Sequence, residues 1–72
     1  MKENDKRTMT LNLTVREMAV LEALAAKKEL NKTGVVKLAL RLLQVVDAKA
    51  KLGHKLMVEN EQTQEKTELV FL

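Results

Sequence analysis

From Thr8 to Leu13 polar and apolar residues alternate strictly. Met9, Leu11 and Leu13 fall on one side, and Thr8, Thr10 and Asn12 on the other. A period of two with Thr enriched predicts a half-buried strand. The period then lengthens. Met18, Leu21, Leu24 and Ala25 recur at spacings of three and four, which predicts an amphipathic helix ending near Lys28. Thr14, followed three residues on by Glu17, fits a capping box at its start. Glu29 then stands where a chain leaving a helix turns through the left-handed region; Gly would be cheaper there by roughly 1 kcal/mol. Asn31 is a good N-cap for a second helix. Val35, Val36, Leu38, Ala39, Leu40, Leu42, Leu43, Val45, Val46, Ala48 and Leu52 give that helix a broad apolar surface. Lys37, Arg41, Gln44, Asp47 and Lys51 mark its wet side. Gly53 is the expected stop, with Lys49 and Lys51 in the last turns as the dipole prefers.

Beyond Gly53 the pattern changes again. Residues 54–58 and 67–72 read as two short strands, separated by the polar stretch from Glu59 to Lys66, which has no Gly or Pro. A hairpin is one reading, although the stretch lacks the usual turn dipeptides. A loose tail is the other. In a hairpin Leu56, Val58, Leu69 and Phe71 would share an apolar face, and Ala48 and Leu52 would offer a surface for it.

Length turns this pattern into a statement about assembly. A chain of 72 residues is one domain, and one that small buries only about 60% of the surface its unfolded form exposes. Disulfides, a metal or a partner subunit usually make up the deficit. The chain has no Cys and one His, so the partner subunit is the expected solution. Two elements ask for it directly. The strand at 8–13 has no hairpin partner, and the same strand of a second copy, antiparallel about a two-fold axis, is the simplest one. The second helix is also too apolar for one short helix and one strand to cover. The expected fold is α+β, mostly helical, as an obligate dimer: 1–6 a flexible arm, 7–53 the folded domain, and 54–72 an extension.

Charge and composition narrow the function. Residues 1–46 hold nine basic and five acidic side chains, and residues 47–72 hold four basic and five acidic. A positive front half suits an anionic partner. There is no paired acid and base near a nucleophile, no Gly-rich phosphate loop and no metal-ligand spacing, so no enzyme and no cofactor are expected. The polar start, the absence of Cys and the lack of a long apolar run point to a cytoplasmic protein without a membrane partner.

Residues 6 to about 46 together resemble the ribbon-helix-helix family of bacterial and phage DNA-binding proteins, the Arc/MetJ/CopG type. The features that carry the resemblance are Lys6 and Arg7 before the alternating strand RTMTLNLT, the capped helix with Leu21, Leu24 and Ala25, and LNKTGVV opening the second helix. Glu29 departs from the family's usual Gly. The resemblance implies that two subunits pair their strands into a ribbon that enters the DNA major groove. It implies that Thr8, Thr10 and Asn12 read bases, which their chemistry allows. It also implies that the start of the second helix, Asn31, Lys32, Thr33 and Gly34, holds a DNA phosphate through its amides. Lys6, Arg7, Lys27 and Lys28 would add looser phosphate contacts. Met9, Leu11, Leu13, Leu21, Leu24, Val36, Leu40 and Leu43 would form the dimer core.

A nickel-responsive branch of that family adds a domain with His and Cys ligands. Here His54 stands alone, so it is expected to be a polar residue just past a helix end and no metal is expected. The function that follows is a sequence-specific transcriptional regulator, a repressor that occludes its promoter, with double-stranded DNA and a second copy as partners. Two alternatives share the fold. One is an antitoxin whose residues 54–72 bind a protein toxin; the other is a plasmid partition or copy-control protein.

Overall fold

The computed structural model describes Glu3 and residues 5–70 of the chain. Two helices are followed by a two-stranded antiparallel sheet. Helix α1, Val15–Lys28, starts at a reciprocal cap. Thr14 Oγ1 accepts from the Glu17 N–H at 3.1 Å, and Glu17 Oε1 accepts from the Thr14 N–H at 2.9 Å. It stops because Glu29 turns into the left-handed region, with φ 54° and ψ 41°. There the Leu30 N–H donates to the Ala25 carbonyl at 2.9 Å and the Glu29 N–H to that of Ala26 at 3.3 Å, the Schellman arrangement.

Helix α2, Lys32–Lys51, begins at Asn31 and ends in a second Schellman turn. The His54 N–H donates to the Lys49 carbonyl at 3.1 Å and the Gly53 N–H to that of Ala50 at 3.0 Å. Gly53, at φ 86°, supplies the left-handed residue. The helix proper thus ends two residues before the expected Gly53 stop.

Strands β1, Leu56–Glu59, and β2, Lys66–Leu69, form the hairpin reading of the tail. Leu56 pairs with Leu69, Met57 with Glu68, Val58 with Thr67 and Glu59 with Lys66. The strands are shorter than the stretches read from sequence, and Phe71 and Leu72 lie outside the described residues. The loop, 60–65, contains turn chemistry that the absence of Gly and Pro concealed. Asn60 Oδ1 accepts from the Gln62 and Thr63 N–H groups at 3.0 and 3.2 Å. Gln64 takes the left-handed conformation at φ 63°, and its N–H donates to the Asn60 carbonyl at 2.6 Å. An Asn side chain closing its own turn does here what a Gly-containing dipeptide does elsewhere.

α1 and α2 pack on each other near their connection. Ala25 and Val35 are buried, and Leu13, Met18, Leu21 and Val36 are half-buried. Past that small core α2 runs on with most of its apolar side chains in water. The chain exposes 7396 Å², whereas a compact monomer of 8.2 kDa exposes about 4,500 Å². Its radius of gyration is 15.6 Å, against about 11 Å for a compact domain of this length.

The single chain leaves one expectation without its partner strand and corrects another. Residues 8–13 form no strand in it: a ladder needs a hydrogen-bonding neighbour, and the hairpin lies at the other end of the sequence. Of the three apolar residues expected to face the helices, only Leu13 is half-buried, while Met9 is 73% exposed. The surface opposite the hairpin is also not Ala48 and Leu52. It is Ala39, Leu42, Leu43 and Val46, which together with Leu56, Val58 and Leu69 line an open cleft of about 480 Å³.

Candidate nucleic-acid interface

The start of α2 is built by one residue. Asn31 is extended, at φ −80° and ψ 172°, and its Oδ1 accepts from the Gly34 N–H at 2.6 Å. The Val35 N–H is already taken by the Asn31 carbonyl at 3.1 Å. Among the described residues, the N–H groups of Lys32 and Thr33 have no acceptor. They are the pair available to an anion, rather than the Lys32, Thr33 and Gly34 set expected from sequence. A helix leaves its first four N–H groups without intrahelical partners, and the cap has closed the one at Gly34. Gly34 also has a local reason to be small. A Cβ there would stand 3.1 Å from Asn31 Oδ1 and 3.4 Å from the Leu30 Cβ, so the missing side chain gives the cap its room.

The two helix starts differ electrostatically. α1 carries its own anion, Glu17, and the Thr14 backbone and side-chain hydrogen bonds hold that carboxyl below the usual glutamate range. α2 has no acidic residue in its first turn. Lys27 and Lys28 end α1 just before it, Lys32 opens it, and Glu29 is the one acidic residue between positions 27 and 33. Two ion pairs of the described residues, Asp47–Lys51 at 3.5 Å and Lys55–Glu68 at 3.8 Å, lie elsewhere. The positive end of the α2 dipole therefore adds to nearby cations instead of being offset by a carboxylate.

Thr8, Thr10 and Asn12 are all exposed, as are Lys6 and Arg7. This segment runs directly into the α1 cap at Thr14, so it leaves from the N-terminal end of α1. The α2 start leaves from the other end, across the short turn at 29–31. A 14-residue helix is about 21 Å long. Within one chain, then, the candidate base readers and the candidate phosphate clamp join α1 at its opposite ends.

Of the expected dimer-core residues, Leu13, Leu21 and Val36 are half-buried, while Met9, Leu11, Leu24, Leu40 and Leu43 are exposed. His54 belongs to the exit of α2. Its Nδ1–H donates to the Lys49 carbonyl at 3.2 Å, beside its own backbone N–H. Among the described residues no three His, Cys, Asp or Glu side chains converge as metal ligands, and no helix is long and apolar enough to cross a membrane. The cleft under the hairpin is the feature that sequence reading missed. Its signal was the row Val35, Ala39, Leu42 and Val46, spaced four, three and four, together with Leu56 and Val58 two apart. No family model matches the chain, no curated protein is similar to it, and no solved structure matches it.

Proposed function

We propose that the chain is a sequence-specific DNA-binding regulator of the ribbon-helix-helix kind, a repressor that acts as a homodimer. The observation that carries this reading is the segment 8–13. It alternates strictly, it is exposed on its Thr8, Thr10 and Asn12 side, and it joins no ladder within the chain. Two copies paired through it form a two-stranded ribbon with three polar side chains from each strand on one face. Such a ribbon fits the major groove, where every base pair presents a distinct pattern. The uncompensated start of α2 supports the same reading. Its free N–H groups suit the phosphates that flank a groove about 12 Å wide. The two-fold axis then sets one clamp on each side. The tail supports a regulator over an antitoxin, because residues 56–69 close into a hairpin on their own.

The experiment is selection of bound DNA from a random pool, followed by affinity measurements on the selected site and on random DNA. Asn12→Ala is expected to cost about 1–3 kcal/mol on the selected site and to relax base preference there, with little change on random DNA. Lys32→Ala is expected to weaken both DNAs alike and to lower the salt slope by about one. Equal losses on both DNAs for Asn12→Ala mean that the strand does not read bases.

A further inference from the structure

The row Val35, Ala39, Leu42 and Val46 runs along one side of α2. α1 covers its head at Val35, which is buried. Further along, the row becomes one wall of the 480 Å³ cleft, and Leu56, Val58 and Leu69 form the other. The walls do not close on each other: Leu42 is 62% exposed and Val58 54%. Two apolar walls facing each other across open water are favourable to fill.

Spacing, size and area select what fills it. Alternating spacings of four and three make a seam that seats another helix by interdigitation. Ala39 in the middle of the seam lets that helix come close. The area is large: the chain exposes roughly 2,900 Å² more than a compact monomer of its mass, against about 800 Å² per partner in an ordinary stable interface. A second copy carries the same seam, and identical seams are self-complementary about a two-fold axis. The outside of the hairpin suits a cover, since Lys55 pairs with Glu68 at 3.8 Å and Glu59 stands opposite Lys66.

We infer that the cleft seats α2 of a second copy, so that the hairpin of each chain closes over its partner's helix. This deepens the dimer proposed above and rests on it. It gives residues 54–70 a part in assembly that neither the ribbon nor the α2 start requires.

The chain has no Cys, so introduced thiols report without background. Chains carrying Val58→Cys are refolded together with size-tagged chains carrying Leu42→Cys and oxidised mildly. The expected product is a covalent heterodimer, and it should be lost when the second thiol is moved to the wet side of α2 as Lys37→Cys. A single chain carrying both thiols that oxidises only to a closed monomer overturns the inference, because the hairpin has then folded onto its own helix. A sedimenting dimer that forms no such cross-link also overturns it. If the thiols disturb folding, Val58→Asp gives an independent measure. Its dimer dissociation constant should rise by at least about tenfold, with the helical signal retained at high protein concentration, and an unchanged constant overturns the inference. The DNA reading is tested separately. A cross-linked dimer without sequence preference supports the clasp and removes the DNA role; sequence-specific binding without the cross-link does the reverse.

Discussion

Left-handed backbone occurs at Glu29, Gly53 and Gln64 among the described non-terminal positions, and each of them ends or reverses an element. Only one of the three is a glycine, so the chain carries strain that substitution can expose. A non-Gly residue held left-handed costs about 1 kcal/mol. Glu29→Gly is therefore expected to stabilise the fold by about that amount, read as a higher melting temperature at fixed protein concentration. Gly53→Ala should do the opposite by a similar amount. A Cβ at Gly53 meets nothing within 4 Å, so its cost would be purely conformational. Glu17 adds a pH dependence. Its folded carboxyl titrates lower than in the unfolded chain, so its contribution is complete above the ordinary glutamate range. That contribution is lost as the pH falls through the depressed folded value. Helicity of the wild type should fall on acidification through that range more than that of Glu17→Gln, which keeps an acceptor without the titrating charge. The caps were the most legible residues in the sequence, because Thr14 with Glu17, Asn31 and Gly53 act on neighbours three to five positions away. Gly34 was less so. Its crowding against Leu30 and the cap oxygen depends on how the 29–31 turn folds back.

At the scale of elements, legibility followed the range of the interactions involved. Both helices were readable because the periodicity and the caps lie within each element. The alternation at 8–13 was readable as a pattern, yet it forms no strand in one chain, where it meets no hydrogen-bonding neighbour. The hairpin loop failed in the opposite sense. Its sequence shows no turn dipeptide; Asn60 Oδ1 accepts from two backbone N–H groups ahead of it, Thr63 Oγ1 from a third, and two backbone hydrogen bonds span the loop. Asn60→Ala is therefore expected to weaken the hairpin by about 1 kcal/mol. The measurement is loss of cross-strand nuclear Overhauser contacts between Leu56 and Leu69, while α1 and α2 keep theirs. If the hairpin persists unchanged, its order comes from the strands and from what they rest on. The cleft was legible by half: Leu56, Val58 and Leu69 read as one face of a hairpin, but no local pattern specifies that Ala39, Leu42, Leu43 and Val46 stand opposite it.

For the whole molecule, the decisive quantity is surface. Among the described residues one chain buries Ala25 and Val35 and little else, which is too small a core to offset the conformational entropy of ordering the chain. Folding and association are then expected to be a single equilibrium. Melting temperature should rise with protein concentration, and dilution should release unfolded chain rather than a folded monomer. Sedimentation and calorimetry over a hundredfold concentration range, roughly 1 to 100 μM, check this. A folded monomer with concentration-independent melting would remove the dimer and the ribbon with it.

α2 is one unbroken helix of 20 residues, a rod about 30 Å long. Its only glycine, Gly34, lies in the first turn, so no hinge interrupts it further along. The Asn31 end leaves the Lys32 and Thr33 N–H groups without an acceptor, and the Lys51 end is joined to the hairpin through the Gly53 turn. Such a rod behaves as a lever. A tilt of about 5° at the hairpin end sweeps the amide end through about 2.6 Å, close to the length of a hydrogen bond. In the proposed dimer, substitutions at Leu56 or Val58 would thereby change the aim of the Lys32 and Thr33 N–H groups and the separation of the two α2 starts. The angular precision with which the tail is seated sets how well the other end of the molecule can point.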